Sequence, residues 1–252
     1  MTSIELSNVC LDYIIKSGSD SIKKTAVQLF NNAFKKNIGS RAVVKNSSYR
    51  ALNDINLNIL KGDKIGLLGR NGAGKSTLLR VLANIYKPGF GEMNIKGKVG
   101  SLFDVSLGMN MEATGYENII NLAIMRGFSK KTAQAITDDI ETFTELGEFL
   151  NSPVKTYSAG MQMKLAFAVS TAIPPEIMLI DEVIGAGDIH FMEKATKRLE
   201  NTIEQTHILV LTSHSNDIIK RFCNKIVVLD RGEIQFVGNV SEGIEYYQGF
   251  VS

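Results

Sequence analysis

The chain has 252 residues, a net charge of +2 and a hydrophobic fraction of 44%. A domain usually has about 100–200 residues, so the length fits one large domain, or a domain with a subdomain. The composition excludes disordered, collagen-like and coiled-coil chains, and the near-neutral charge gives no reason to expect a nucleic-acid partner. No uninterrupted apolar run reaches the roughly 20 residues of a membrane span, and the first residues do not resemble a signal peptide. We therefore expect a chain that stays inside the cell.

The first quarter of the chain has two predicted strands with an insertion between them. Residues 3–14 form one long strand or a pair of strands, and apolar residues at 52–59 indicate the next strand. Residues 16–48 contain a stretch at 21–36 in which apolar residues recur at helical spacing and lysines occupy the other side. We interpret this segment as an inserted amphipathic helix.

The remainder alternates between short apolar runs and helical patterns. Continuous apolar runs are typical of buried parallel strands, and such runs occur at 65–68, 177–180, 208–211 and 226–229. Helices are predicted at about 75–85, 115–127 and 131–146, from Ser158 onwards and after Ser241, with strands or turns at 91–103 and a strand at 233–237.

A glycine-rich loop with the pattern Gly-x-x-x-x-Gly-Lys-Ser lies between an apolar strand and an apolar helix. Glycines allow successive N–H groups to point at phosphate oxygens, and the N-terminus of the following helix adds partial positive charge. In this pattern Lys75 reaches the β- and γ-phosphates and Ser76 ligates Mg²⁺. The candidate nucleotide-binding residues, called the phosphate loop below, are Gly69, Arg70, Asn71, Gly72, Ala73, Gly74, Lys75, Ser76 and Thr77.

Two further strand ends carry groups suited to the same chemistry. The strand at 177–180 ends in Asp181 and Glu182. In phosphate-loop ATPases such an aspartate supports Mg²⁺, so Asp181 is a candidate metal ligand. Glu182 would lie beside the γ-phosphate, where a carboxylate orients the attacking water. His214 follows the strand at 208–211 and would face the ligand crevice of an open α/β sheet. Glu182 and His214 are therefore the candidate catalytic residues.

The segment Tyr-Ser-Ala-Gly-Met-Gln at 157–162, called the signature segment below, opens a predicted helix. A serine cap followed by small residues leaves N–H groups exposed, which makes an anion site. One chain does not need a second γ-phosphate site, so we expect Ser158, Ala159 and Gly160 to contact the nucleotide of a second copy. Simple helix capping is the alternative interpretation.

The order of these four motifs resembles that of the ATP-binding cassette (ABC) ATPases over nearly the whole chain. The resemblance implies an α/β phosphate-loop NTPase fold, with a parallel core sheet, an N-terminal antiparallel β part and an inserted α-helical subdomain at about 105–170. The remainder of this single domain, 1–252, would be a RecA-like core. ATP and Mg²⁺ are the implied cofactors. Tyr13 resembles the aromatic residue that stacks on adenine, and Tyr49 competes for that role.

Several details resemble the ATPase subunits of polysaccharide exporters, which move O-antigen, capsule or teichoic acid chains. Among them are the signature segment and the acidic motif Asp-Glu-Val-Ile-Gly-Ala-Gly-Asp at 181–188. The last residue of this motif, Asp188, is a further candidate for the nucleotide site and for signalling across a dimer interface. Asp104 stands where most ABC ATPases have a glutamine that touches the permease and Mg²⁺, so it is a third candidate metal ligand. The insertion at 16–48 resembles the O-antigen branch. The short stretch after His214 predicts no additional C-terminal carbohydrate-binding domain.

The resemblance implies an ATP-hydrolysing subunit that powers export of a lipid-linked, O-antigen-like polysaccharide across the cytoplasmic membrane. Two copies would pair head to tail against an integral membrane permease, as peripheral proteins on the cytoplasmic face of the inner membrane. Two alternatives stay open: an ABC ATPase for another cargo, such as a lipid or drug, and a soluble ABC ATPase without a transport role.

Overall fold

The computed structural model describes residues 1–15, 47–103, 108–181 and 189–251. Its strands are β1 (Ser3–Ile15), β2 (Ser47–Leu60), β3 (Lys64–Leu68), β4 (Phe90–Lys96), β5 (Val99–Ser101), β6 (Ile177–Asp181), β7 (Ile208–Thr212), β8 (Lys225–Asp230) and β9 (Glu233–Asn239). Its α-helices are α1 (Lys75–Leu82), α2 (Gly115–Met125), α3 (Lys130–Ala135), α4 (Thr137–Thr144), α5 (Ala159–Thr171), α6 (Ile189–Gln205), α7 (Asn216–Phe222) and α8 (Val240–Val251). Short 3₁₀ helices at Gly147–Asn151 and Val154–Thr156 connect α4 to α5.

The strands form two sheets. The first is antiparallel, in the order β2-β1-β4. The second has six strands in the order β5-β6-β7-β3-β8-β9, and its strands run parallel except for the antiparallel pair β8–β9. This arrangement confirms the expected α/β fold with a parallel core sheet and an N-terminal antiparallel part. Residues 3–14 belong to one long strand, which settles the choice that the sequence pattern left open.

The inner strands of the core sheet are buried on both faces because they send alternate side chains into two hydrophobic cores. Along β6, Ile177 and Leu179 face the core that contains α1 and the antiparallel sheet. Met178 and Ile180 face the other core, which contains the helices that follow β5. This two-sided burial accounts for the continuous apolar runs in the sequence.

The helices between β5 and β6 differ from the prediction at one point. The single helix expected at 131–146 is wrong: the structure has two short helices, α3 and α4, that meet at Ile136. The capping of α2 is as its sequence indicates, since Thr114 and Glu117 form a reciprocal capping box. Apolar spacing continues through Ile136 and did not reveal the break between the two helices.

The predicted inserted helix at 21–36 lies outside the described residues. Within the residues that the structure does describe, no helix combines the length and the apolar character needed to cross a membrane.

Candidate functional site

Three adjacent strands of the core sheet place the candidate residues at one edge. Strand β7 lies between β6 and β3, and all three run in the same direction. Strand β6 ends in Asp181, β7 leads into the loop with His214, and β3 leads into the phosphate loop. The carboxyl edge of an open α/β sheet is where ligands bind. A cavity of about 550 Å³ opens at this edge, a volume within the usual range for small-molecule sites.

The phosphate loop and the start of α1 form one side of this cavity. The residues that line the cavity on this side are Asn71, Gly72, Gly74, Lys75, Ser76 and Thr77. Gly74 is the N-cap of α1 in the left-handed region, with a φ of 106°, and no side chain caps the helix there. A Cβ at Gly74 would lie 2.9 Å from the carbonyl oxygen of Ala51, so this position requires glycine. The loop therefore presents backbone and a helix N-terminus to the cavity, which suits an anion.

Lys75 is folded back over the loop. Its Nζ donates to the carbonyl oxygen of Gly69 at 2.6 Å and to that of Arg70 at 3.1 Å. These bonds hold the ammonium group against the curl of the backbone, where phosphate oxygens bind in such loops.

The remaining residues of the phosphate loop play other parts. Ala73 is buried, and its carbonyl oxygen accepts a hydrogen bond from the N–H of Gly232. The guanidinium of Arg70 lies 5.9 Å from the ring centroid of Phe250 in α8. Arg70 and Ala73 are therefore placed to support the loop, and the cavity lining excludes their side chains.

Asp181 is held by a residue that the sequence analysis did not single out. The hydroxyl of Thr212, at the end of β7, donates to Oδ1 of Asp181 at 2.7 Å. Thr212 is 1% exposed, and both residues line the cavity together with Ser213 and His214. The available signal was a hydroxyl residue two positions before His214, at the carboxyl end of a buried strand.

Tyr13 and Tyr49 both line the cavity, because they are paired across β1 and β2. The hydroxyl of Tyr13 is 3.2 Å from Oγ1 of Thr77, and its ring meets Tyr86 edge-on with the centroids 5.7 Å apart. Tyr49 is 51% exposed. The structure thus brings both candidates for adenine stacking to the site, Tyr13 packed against the protein and Tyr49 facing solvent.

An ion pair next to these tyrosines holds the two strands together. Arg50 donates to both carboxylate oxygens of Asp12, from Nε at 2.9 Å and from Nη2 at 3.1 Å. The hydrogen bond from Arg50 lowers the pKa of Asp12. Asp12 directly precedes Tyr13, and Arg50 directly follows Tyr49. The ion pair therefore supports the strand register at the mouth of the cavity.

The signature segment lies apart from this cavity. Ser158 is the N-cap of α5, and its hydroxyl accepts from the N–H of Met161 at 3.2 Å. Ser158, Ala159 and Gly160 are exposed, and the cavity lining does not include them. Within one chain, the structure therefore leaves this helix N-terminus open to another molecule.

Three predicted site residues fall outside the part of the chain that the structure describes. They are Glu182 and Asp188, which follow β6, and Asp104, which follows β5. Both segments follow strands that belong to the core sheet.

The residues present fit a nucleoside triphosphate with a divalent cation. A glycine cradle, an ammonium group and an uncapped helix N-terminus suit phosphate oxygens. The Ser76 hydroxyl and the Asp181 carboxylate both line the cavity, and hydroxyl and carboxylate oxygens are the ligands that Mg²⁺ prefers. The bond from Thr212 occupies Oδ1 of Asp181, and no hydrogen bond to Oδ2 is found among the described residues.

Comparisons with known proteins agree with this geometry. A family model described as "ABC transporter" matches residues 52–185. The chain is 43% identical over 235 residues to the O-antigen export system ATP-binding protein RfbE of Yersinia enterocolitica, with coverage of 93% of this chain and 97% of that protein. It is 37% identical over 244 residues to RfbB of Myxococcus xanthus, an O-antigen export system ATP-binding protein, but covers only 56% of that longer relative.

A solved structure described as a dimeric bacterial ABC transporter cassette has the same fold. Its TM-score with this chain is 0.65 at 25% sequence identity, and the match covers 94% of this chain and 98% of the other.

Proposed function

The chain belongs to the ABC transporter family, and from that premise we propose that it is the ATP-hydrolysing subunit of an exporter of lipid-linked polysaccharide. The observation that carries this proposal is the cavity at which Lys75, Asp181 and His214 meet. The choice of cargo is supported by the 43% identity to an O-antigen export protein, which extends over 97% of that relative.

In this proposal the phosphate loop binds ATP, and residues at the carboxyl ends of β6 and β7 promote its hydrolysis. Lys75 exchanges its bonds to Gly69 and Arg70 for the phosphate oxygens, and Ser76 and Asp181 hold Mg²⁺. When bound by these residues, Mg²⁺ would supply positive charge against the phosphate oxygens. Glu182 orients a water and accepts a proton from it. The water oxygen attacks the γ-phosphorus while the bond to the ADP oxygen breaks, so that ADP and inorganic phosphate leave. His214 donates a hydrogen bond to the γ-phosphate and keeps Glu182 and the water in place.

We further propose that two copies pair head to tail. The exposed N-terminus of α5 then completes the partner's site through Ser158, Ala159 and Gly160, and Asp188 relays closure across the interface. ATP favours the closed pair because it binds that state more tightly, and hydrolysis releases the pair. The helices between β5 and β6 contact an integral membrane permease, so the chain acts as a peripheral protein on the cytoplasmic face of the inner membrane. In this proposal Asp104, which follows β5 in the sequence, links that contact with the metal.

A complementation experiment tests the cargo. Cells that lack the gene should accumulate lipid-linked polysaccharide inside, and the wild-type gene should restore export. The Glu182→Gln variant should bind ATP but leave the polymer inside the cell, because the attacking water lacks its carboxylate. Export at the normal level in deleted cells would point instead to another cargo, such as a lipid or drug. ATP hydrolysis by Glu182→Gln at the parent rate would exclude Glu182 as the catalytic carboxylate.

A further inference from the structure

A second cavity, called the edge pocket below, lies at the β5 edge of the core sheet. Its volume is about 70 Å³. A buried water needs about 10–15 Å³ of such space, so the edge pocket admits several waters or one small ion. The walls come from β5, from the end of α2 and from the segment between α5 and β6. The lining residues that matter here are Lys98, Ser101, Arg126, Phe128, Ser170 and Glu176.

Arg126 follows the last turn of α2 and contributes a guanidinium to the wall. Its Nη2 donates to Oγ of Ser170 at 2.9 Å, whereas Nη1 is buried without an acceptor in the described part of the chain. The Ser170 hydroxyl donates to the carbonyl oxygen of Ala166 at 2.7 Å, so it receives the bond from Arg126 on a lone pair. A guanidinium has five N–H donors, so the bond to Ser170 satisfies only part of its capacity.

No acidic side chain among the described residues neutralises this cation. Burial lowers the pKa of Arg126, with no opposing contribution from a carboxylate. Glu176 is the acid in the wall, but its Oε2 accepts the backbone N–H of Lys98 at 2.9 Å and its Oε1 accepts the Thr2 hydroxyl at 3.2 Å. Arg126 is partly buried, and its Nη1 atom is fully buried without an acceptor in the described part of the chain. A buried donor on a charged group is costly to leave unpaired, so this position favours a counter-ion.

A second cationic residue, the exposed Lys98, lines the same space. The Nζ of Lys98 lies 5.2 Å from the ring centroid of Phe128, close enough for a cation–π contact. Lys98 and Arg126 come from different elements, the segment before β5 and the end of α2, and both line the edge pocket. Two cations, the Glu176 carboxylate and the hydroxyl residues Ser101 and Ser170 therefore line a space the size of a small ion, and the positive charges exceed the negative charge by one.

We propose that the edge pocket binds one oxyanion group, a phosphate or a carboxylate, between Arg126 and Lys98. The planar guanidinium matches the paired oxygens of both groups, and Lys98 adds a point charge. A bound oxyanion joins the end of α2 to the β5 edge and so fastens these helices to the core sheet. The edge pocket and the phosphate loop share no lining residue, so this inference stands independently of the proposed function.

Thermal unfolding of the full chain tests the proposal. Inorganic phosphate, or acetate in a parallel series, replaces chloride at constant ionic strength, while Mg²⁺ and a non-hydrolysable ATP analogue keep the phosphate loop filled. At a tenfold excess of the anion over its dissociation constant, the unfolding midpoint should rise by about 3–6 °C. A rise with phosphate identifies a phosphate ligand, and a rise with acetate alone identifies a carboxylate ligand. No rise with either anion would overturn the proposal.

Variants assign the response to the edge pocket. Arg126→Met should lose the anion-dependent rise, and Arg126→Lys should need a several-fold higher anion concentration because it loses the paired hydrogen bonds. The matched control is Arg221→Gln, which removes one exposed guanidinium that pairs with Glu200 and should keep the full rise. An unchanged rise in Arg126→Met would contradict the proposal. If Arg126→Met does not fold, a wild-type anion response in Arg126→Lys would contradict it equally.

Discussion

The Asp181 carboxylate is oriented by a hydrogen bond from a neighbouring strand. Its position at a strand end was evident from the sequence, but its orientation depends on Thr212, a fully buried hydroxyl on the neighbouring strand. A carboxylate that ligates a metal usually has such a partner, which fixes the direction of its oxygens. We therefore assign Thr212 the part of a positioning residue for the proposed metal site.

Replacing Thr212 by valine tests this assignment, since valine keeps the shape and removes the donor. The affinity for Mg-ATP should fall by about 10–100-fold, the usual cost of losing such a partner. Nucleotide binding in EDTA should change little, and this difference is measured by titration with a fluorescent ATP analogue. Thr202→Val is the control, because Thr202 is equally buried but bonds only to the carbonyl oxygen of Arg198 in its own helix. Equal losses with and without Mg²⁺ would contradict the assignment.

Cys223 gives a prediction for the pH dependence of stability. Burial raises the pKa of its thiol from 9.0 to about 12. The folded state therefore holds the thiol neutral, and this contribution is complete below pH 9. It is lost as pH rises from about 9 towards 12, because the unfolded thiol ionises first. Urea unfolding of wild type and Cys223→Ala at pH 7–10.5 should show a steeper decline in the wild type above pH 9. Parallel curves would contradict the burial of this thiol.

At the scale of elements, apolar patterning predicted the strands of the core sheet well, because strands buried on both faces need continuous apolar runs. It failed at Ile136, where the apolar spacing passes through the junction of α3 and α4. It also left the choice between Tyr13 and Tyr49 open, since only the register of β1 against β2 shows that both reach one cavity. The bond between Thr212 and Asp181 was likewise hidden, because it depends on which strands are neighbours.

The capping box of α2 is an element whose contribution can be measured. The Thr114 hydroxyl accepts from the N–H of Glu117 at 3.2 Å, and Glu117 accepts from the N–H of Thr114 at 2.8 Å. Thr114→Ala should cost about 1 kcal/mol of unfolding free energy and lower the midpoint by about 2–4 °C. Thr142→Ala, an exposed change in α4 that removes only a bond to the carbonyl oxygen of Asp138, serves as the control. A loss no larger than that of the control would contradict the prediction.

The same element has a pH signature. Hydrogen bonds from the backbone and the hydroxyl of Thr114 lower the pKa of Glu117. A lowered carboxyl pKa adds stability that is present above the ordinary value of 4.5 and is lost as pH falls through the folded value. The difference in unfolding midpoint between wild type and Thr114→Ala should therefore be largest at neutral pH and shrink in acid. A difference that grows in acid would contradict this account of Glu117.

At the scale of the whole molecule, one chain supplies only part of the proposed nucleotide-binding site. One chain brings Lys75, Asp181 and His214 to a single cavity, while the N-terminus of α5 is exposed elsewhere. The sequence indicated both features, because each motif has its own local signal. The sequence predicts that the signature segment serves a second copy, and the structure adds that this segment is exposed and outside the cavity lining. The central claim is that a second copy brings the two halves together.

The molecular mass of the Glu182→Gln variant in saturating Mg-ATP, measured by light scattering, tests that claim most directly. Because this variant should bind ATP without hydrolysing it, the closed pair should accumulate. We predict a mass of twice the 27.7 kDa of one chain, and a return to the single mass when Lys75→Ala removes phosphate binding. A Glu182→Gln protein that binds Mg-ATP and keeps the mass of one chain at all concentrations would contradict the account.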